Sequence, residues 1–518
     1  VSDRGADSGR TTICLVLEGT YPYVRGGVSS WAHQLIASLP QFDFVLLTLS
    51  PKAGQKPVYE VPPNVVASYD HVLQNNGFEL TTLDAELIGR RLRLLRERID
   101  PRSGSLVDSL MQELELVSAI PRRRGRRWRE AIGTFWRSLL DGHLSDNPYY
   151  GLGEFYWTWY NSRVTLLRLL ELRMPQADLY HSLCTGYAGF IASINRAETG
   201  TPLMLTEHGI YHRERLIEIE ATTELRGHQR DQWSEMFLAL SRISYAVSDL
   251  TITLFEANRA MELAMGTPPD RSMVIPNGID VERFGGVERA PRPGLHVGLV
   301  GRVVPIKDIK TFLVACRIVA EEVPEAEFHV IGPTDESPDY YQECLEMAAA
   351  FGLLDRLHFT GSVNVLEYYA FLDVLVLSSL SEAQPLVILE GVAAGVPAIS
   401  TRVGDVPDLL SHDPRLIATP KDAEGIAGRI VGLLRGRSAF DDWVTERQEA
   451  VRTIYNRTRI FGRYGELYAE MVAGGPTTAH GGGPRPPGPT TAHGGGPRPP
   501  GPTTAHGGGR GDTQTGAP

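Results

Sequence analysis

Short runs of branched apolar residues alternate with longer stretches of helical period along most of this chain. Residues 13–17 read as a buried strand, a glycine-rich turn follows, residues 29–39 begin an amphipathic helix, and residues 44–49 form a second strand. Strands apolar on both faces that alternate with helices belong to parallel sheets covered on each side. The pattern changes after Tyr69, where leucine, arginine and aromatic residues at helical spacing predict an inserted helical subdomain over about 70–175. Strand-like segments resume at 177–180, 202–206 and 250–254. Pro276-Asn277-Gly278 is a turn signal, and Gly, Pro and charge then dominate through Pro293, which predicts a domain boundary. A second alternating unit runs from His296 to about Thr453, with 297–300 and 374–377 as buried strands. The predicted architecture is α/β. It has a doubly wound N-terminal domain over 11–290, a second such domain over 291–453, a terminal helix over 454–472 and a disordered tail over 473–518.

Candidate chemistry gathers where strands give way to helices, because open parallel sheets bind ligands outside the C-terminal ends of their strands. The run Ser381-Glu382-Ala383-Gln384-Pro385-Leu386-Val387-Ile388-Leu389-Glu390 follows one such strand. Residues 378–384 are polar enough for the outgoing loop, and Pro385 suits the first helical turn, where its missing N–H matters little. Glu382 then sits in the loop and Glu390 more than a turn into the helix. The spare N–H groups of Leu386 and Val387, at the positive end of the helix dipole, make a seat for a phosphate. Two glutamates at this spacing also occur on any solvated helix, so the pair is read together with a second feature. Strand 297–300 ends in Gly301-Arg302-Val303-Val304-Pro305-Ile306-Lys307. Arg302 and Lys307, at the mouth of that unit, have the reach and charge to grip a diphosphate, although singly each is an ordinary surface charge. Gly26 and Gly27 fall where the first strand passes into a helix, either as a plain turn or as a ligand-facing loop. His181 and His208 both follow strand ends on the crevice side, where a histidine is a structural hydrogen-bonder or a catalytic group. Two acids, an anion seat and two cations predict a nucleotide-sugar site.

With these motifs in place, the chain resembles family 4 glycosyltransferases, retaining enzymes of the two-domain GT-B fold, over roughly residues 11–472. The resemblance rests on Gly26-Gly27-Val28, Asp178-Leu179-Tyr180-His181, Thr206-Glu207-His208-Gly209, Ile275-Pro276-Asn277-Gly278-Ile279-Asp280, the Gly301 to Lys307 segment and the Glu382 to Glu390 pair, in this order. Within the family it is most similar to the PelF type of Pel-like exopolysaccharide synthesis. That finer likeness is carried by Glu18-Gly19-Thr20-Tyr21-Pro22-Tyr23, by Ser29-Ser30-Trp31 and by Ile210-Tyr211 after the His208 motif. The resemblance implies retaining, metal-independent transfer from a UDP-sugar, UDP-glucose first, to a growing polysaccharide. It places Glu390 on the ribose hydroxyls, Glu382 and the backbone of 383–386 on the donor sugar, and His208 beside the sugar's reacting face. The Gly26-Gly27 loop approaches the diphosphate and acceptor, and the terminal helix crosses back to brace the first domain. No covalent glycosyl-enzyme is implied, so the glutamates are not the acid and nucleophile of a retaining glycosidase. Three positions depart from the pattern: Ala383-Gln384 stands where Gly-Phe is frequent, Asp308 where Gly is frequent after the lysine, and Asp405 where a second Gly follows Gly404. The first and third bear on donor sugar identity. The competing readings are a non-catalytic nucleotide-sugar-binding scaffold in a membrane polysaccharide synthase and, on a related fold, a nucleotide-sugar 2-epimerase.

Composition narrows the picture little further. The 518 residues exceed one core, and 42% hydrophobic with 22% charged residues is ordinary for a soluble globular protein. A net charge of −11 argues against nucleic acid as a partner. Cys14, Cys184, Cys316 and Cys344 form no close pair, which suits free thiols in a reducing compartment, and no metal site is expected. Residues 1–10 lack the apolar stretch of a signal peptide, and no segment has the length and hydropathy of a membrane span, so the expected location is cytoplasmic. The basic cluster Arg122 to Arg129 is either a solvated loop or a dock for an anionic membrane surface or synthase subunit at the inner face. The Gly/Pro repeat that begins at Pro476 cannot bury enough apolar surface to fold, and its His480, His493 and His506 read as part of a neutral repeat expansion.

Overall fold

The computed structural model describes residues 9–19, 21–24, 26–73, 83–99, 104–118, 133–134, 136–137, 139–141, 151–222, 225–290 and 292–474. The expectations for the 122–129 cluster and for the repeat tail lie outside the described residues. Two parallel sheets organise the described chain. The first has seven strands, β1 (Thr12–Glu18), β2 (Asp43–Ser50), β3 (Val65–Val72), β4 (Leu179–Ser182), β5 (Leu203–Glu207), β6 (Leu250–Thr253) and β7 (Ser272–Val274), in the order β3-β2-β1-β4-β5-β6-β7. The second has six, β8 (Leu295–Val300), β9 (Ala326–Ile331), β10 (Leu357–Phe359), β11 (Val374–Leu377), β12 (Ala398–Thr401) and β13 (Ile417–Ala418), in the order β10-β9-β8-β11-β12-β13. Every pairing is parallel, from Ile13 beside Phe44 and Leu179 in the first sheet to Leu375 beside Gly298 and Ala398 in the second.

The strands are apolar on both faces because both faces are covered. All of β2 and the middle of β1 are buried. One face of the first sheet lies under helices Ala85–Arg98, Ser105–Ser118, Leu152–Leu169, Tyr187–Thr199 and Gly227–Val247. The insertion is tied to this layer by Arg91, which donates to the Leu170 and Leu172 carbonyls at 2.8 Å and pairs with Glu198 at 2.7 Å. The other face lies under Gly27–Ser38 and the last helix, Arg457–Val472, whose Phe461, Tyr464, Leu467 and Tyr468 are buried in the first domain's core. His181 sits inside this layer with both ring nitrogens engaged, Nδ1 with the Tyr468 hydroxyl at 2.6 Å and Nε2 with Thr206 Oγ1 at 2.8 Å. Of its two open roles, the structure supports the hydrogen-bonding one.

Each sheet reverses its strand order once, between β1 and β4 in the first and between β8 and β11 in the second. Crevices open at such reversals, outside the C-terminal strand ends. The chain crosses between the sheets twice, and the two crossings pair with each other. Ile279 N–H donates to the Tyr455 carbonyl at 2.9 Å, and Arg457 N–H donates to the Ile279 carbonyl at 3.0 Å. Gly278 permits this approach, since a Cβ there would stand 2.6 Å from the Arg457 Cα. This pairing occupies Tyr455 and Asn456, so the last helix starts at Arg457 with the Asn456 side chain accepting from the Thr458 and Arg459 amides. Among the described residues no helix is long and apolar enough to cross a membrane.

The last helix carries a direct test of this packing. Leu467 is fully buried in the first core. Leu467→Ala is expected to cost about 2–5 kcal/mol in denaturant unfolding through lost burial and a residual cavity, whereas a loss under about 0.5 kcal/mol would mean that the helix is not seated there.

Candidate functional site

The loops leaving β8 and β11 lie side by side because their strands are neighbours at the reversal of the second sheet. Ser378 Oγ donates to the Lys307 and Asp308 carbonyls at 2.9 and 3.0 Å, and Leu380 N–H donates to the Ile306 carbonyl at 2.8 Å. Lys307 then runs over Gly301, and its Nζ meets Glu382 Oε1 at 2.5 Å. Ser379 Oγ donates to the same carboxylate oxygen at 2.6 Å. Both partners are mostly buried, 17% and 14% exposed, so neither charge is left to water alone. Pro385 precedes helix Leu386–Ala393, whose first-turn amides at Leu386 and Val387 are among those that intrahelical bonding leaves over.

A cavity of about 370 Å³ opens between this loop pair and the first domain. Glu382, Ala383, Gln384 and Leu386 form one side, and Gly27, Trp31, Glu18, His208 and Gly209 form the other, with Asn277 of the crossing segment between them. His208 is fixed by Trp31, whose ring it meets edge-on with centroids 4.7 Å apart. Burial pushes the His208 ring down to a pKa of about 4, so it is neutral near pH 7. The Asn277 side chain opposes that shift, yet no hydrogen bond of normal geometry closes between the two, and His208 Nε2 and Asn277 Oδ1 remain buried without protein partners. Two unpaired polar atoms on the wall of a cavity are places where a bound hydroxyl gains most.

Glu207 holds the backbone on which His208 stands. Its buried carboxylate accepts from the Tyr211 amide and Thr185 Oγ1, both at 2.9 Å, and from the Tyr245 hydroxyl. Burial nevertheless raises its pKa above the usual carboxylate range. The Tyr211 hydroxyl in turn donates to Glu18 Oε1 at 2.5 Å, which joins the ends of β1 and β5 across the cavity floor.

Not every expected residue reaches the cavity wall. His208, Glu382, Gly27 and Leu386 do, and Lys307 stands one bond behind, on Glu382. Arg302 turns instead to Glu336, with Nη1 at 2.5 and 2.7 Å from its two carboxylate oxygens, in a half-exposed pair. Glu390 lies a turn deeper on its helix, within 3.4 Å of the Tyr369 hydroxyl. Burial lifts its pKa to about 7, while Tyr369 and Arg283 pull it back. Gly26 caps helix Gly27–Ser38 in an extended conformation open to any residue, and a Cβ at Gly26 or Gly27 would meet open space. The Val387 carbonyl takes a long contact of 3.4 Å from Tyr369. Sequence reasoning assigned no role to Asn277, Trp31 or Glu18, although all three lie within its motifs. Among the described residues no group of three or more His, Cys, Asp or Glu side chains is arranged to hold a metal ion.

Residues 11–270, half of the chain, match the family model described as Domain of unknown function (DUF3492). The chain belongs to the DUF3492 family. In this DUF3492 chain residues 294–436, which carry all six strands of the second sheet and its paired loops, match a second model, Glycosyl transferases group 1. The chain is 23% identical over 235 residues to N-acetyl-alpha-D-glucosaminyl L-malate synthase of Bacillus anthracis, covering 45% of this chain and 60% of that protein. It is 27% identical over 283 residues to D-inositol 3-phosphate glycosyltransferase of Geodermatophilus obscurus, covering 51% of this chain and 61% of that protein. The match thus spans about three fifths of these relatives' length. In fold the DUF3492 chain is similar to sucrose-phosphate synthase of Thermosynechococcus elongatus, with a TM-score of 0.57, 18% identity and coverage of 90% of this chain and 100% of that one. HepE of Anabaena, solved in complex with UDP and glucose, gives a TM-score of 0.54 at 13% identity over 89% of this chain and 100% of that one. These two likenesses establish the GT-B architecture.

Close to the cavity, Asp405 is 3% exposed, and burial raises its pKa from 3.8 to about 8, with Gln384 pulling down and Asp408 pushing up. A carboxyl that holds its proton more tightly when folded contributes stability fully below its unfolded value of 3.8 and loses it as pH rises through about 8. Asp405→Asn, which cannot ionise, is therefore expected to flatten the fall of melting temperature between about pH 4 and about pH 8. An unchanged slope in that variant would show that Asp405 is not the titrating group.

Proposed function

We propose that this chain is a retaining glycosyltransferase that moves a sugar from a UDP-sugar, UDP-glucose first, to a growing polysaccharide in exopolysaccharide biosynthesis of the PelF type. The observation that carries the reading is the joined pair of loops at the β8/β11 reversal, with Lys307 on Glu382 and a helix N-terminus at the edge of a cavity that His208 closes from the other domain. The match of residues 294–436 to the group 1 glycosyltransferase model supports it, as do the HepE structures in complex with UDP and glucose and with UDP-glucose.

In this reading the hard step is departure of the diphosphate, and the protein's task is to meet the charge that develops on its oxygens. Lys307 supplies a point charge already held at the site, neutralised by Glu382 until a phosphate competes for it. Arg302 exchanges Glu336 for a phosphate, a cheap exchange because exposed ion pairs are worth little. The Leu386 and Val387 amides complete the anion seat. Glu390 accepts the ribose hydroxyls, Glu382 and the backbone of 383–386 hold the donor sugar, and the neutral His208 ring offers Nε2 at the sugar's reacting face. The Gly26-Gly27 loop faces the diphosphate and the acceptor, which attacks from the side the leaving group vacates. These cations do the work a metal would otherwise do.

Lys307→Ala or Arg302→Ala is expected to lower sugar transfer about a hundredfold or more, the scale of losing a preorganised charge-stabilising group. Excess chelator should leave the rate unchanged. Full turnover in both variants would end the mechanism. Glu390, with its pKa raised to about 7, must be ionised to accept two ribose hydroxyls, so donor KM should fall as pH rises through about 7. Glu390→Gln should raise donor KM and abolish that dependence; a variant that keeps the native pH profile of KM would remove Glu390 from the ribose.

A further inference from the structure

Two of the three departures from the resembled pattern touch each other. Gln384 is 6% exposed and Asp405 3%, and Gln384 Nε2 donates to Asp405 Oδ2 at 2.5 Å. The other end of the same amide reaches the crossing between the domains, where the Asn277 N–H donates to Gln384 Oε1 at 2.6 Å. A backbone N–H can only donate, so Oε1 must face Asn277 and Nε2 must face Asp405. One buried amide thus joins three segments in a single orientation. The Asp405 loop is also locked by its backbone. Asp405 N–H donates to the Ala383 carbonyl at 2.8 Å, and Gly404, at φ 48°, lies so close that a Cβ would collide with the Glu382 and Ala383 carbonyls.

We propose that Gln384 and Asp405 form a positioning pair that fixes the sugar-side loop 382–385 against both the Gly404 turn and the interdomain crossing at Asn277, and so sets the fit of the donor sugar. This rests on the glycosyl-transfer reading. The pair touches neither the nucleotide end at Glu390 nor the Lys307–Glu382 contact directly. Its influence is on where the Glu382 and Ala383 backbone stands, beside the unpaired Asn277 Oδ1 on the cavity wall. The ionisable groups around Asp405 are Asp408 on its own helix and Tyr455 at the crossing, with Arg447 beside Tyr455, and Glu382 with Lys307 behind the facing loop. None places a cation on the Asp405 carboxyl, so the bond depends on a donor from position 384.

An exchange series tests the pair. Gln384→Glu sets two carboxyls against each other, which can bond only while they share a proton. Its kcat/KM for UDP-glucose should match the native enzyme near pH 6 and fall about tenfold or more above pH 8, while inhibition by UDP alone, which lacks the transferred hexose, stays at the native level. Adding Asp405→Asn reverses the bond, an amide at 405 donating to the carboxylate at 384, and should restore kcat/KM across the whole pH range. Melting curves of the same proteins should show the same loss and rescue with no substrate present. Rescue in melting without turnover by the native protein would sink the transfer reading and spare the pair. Native turnover with no rescue, or an unperturbed pH profile for Gln384→Glu, would overturn the pair, and equal weakening of UDP alone would show a general structural role instead.

Discussion

Helix Arg457–Val472 follows the second sheet in sequence but buries its apolar face in the first, and the cleft depends on that exchange. Phe461 and Tyr464 of this helix meet the Trp31 ring edge-on, with centroids at 5.8 and 5.2 Å, and Trp31 backs His208 at 4.7 Å. The helix also engages His181 through Tyr468, inside the sheet. Where it begins, the Ile279–Asn456 pairing ties the two crossings together, so neither sheet turns about a single strand of chain. A side chain at Gly278 would force the crossings apart. Position and orientation at the cavity are therefore set by burial far from it, and the same apolar contacts that stabilise the first core aim a histidine at the second domain.

The cavity brings opposed chemistry into balance before any ligand arrives. Lys307 rests on Glu382 and Arg302 on Glu336, so each of these two cations is held by a carboxylate. The two pairs differ in burial. Lys307 is enclosed beside the cavity, whereas Arg302 is half exposed and turned to Glu336. Around them, burial keeps Glu207, Glu390 and Asp405 protonated at higher pH than free carboxyls and keeps His208 and His181 neutral.

Much of this architecture was legible because buried parallel strands advertise themselves. The runs at 13–17, 44–49, 297–300 and 374–377 are apolar on both faces and coincide with β1, β2, β8 and β11, of which β1, β8 and β11 flank the reversals. Strands without that signature were silent: β3 has exposed positions at its centre, and β10 and β13 are two or three residues long. At the site, the loop position of Glu382 and the helical position of Glu390 follow from Pro385 and the period beyond it. The direction in which a long side chain turns does not follow from position, and Arg302 took an acid, Glu336, that lies far along the chain. Gln384 and Asp405 showed in sequence only as odd residues in a familiar run. That they bond each other needed the fold, since the Gly404 turn meets the Glu382 loop only after β12 has been laid beside β11.

The central claim is that the β8 and β11 loops receive the diphosphate of a UDP-sugar. A crystal structure of the protein grown with UDP reads this directly. The account predicts diphosphate oxygens within hydrogen-bonding distance of Lys307 Nζ and of the Leu386 or Val387 amide, with the ribose against Glu390. UDP bound away from helix Leu386–Ala393, or an empty cleft at millimolar UDP, would contradict it.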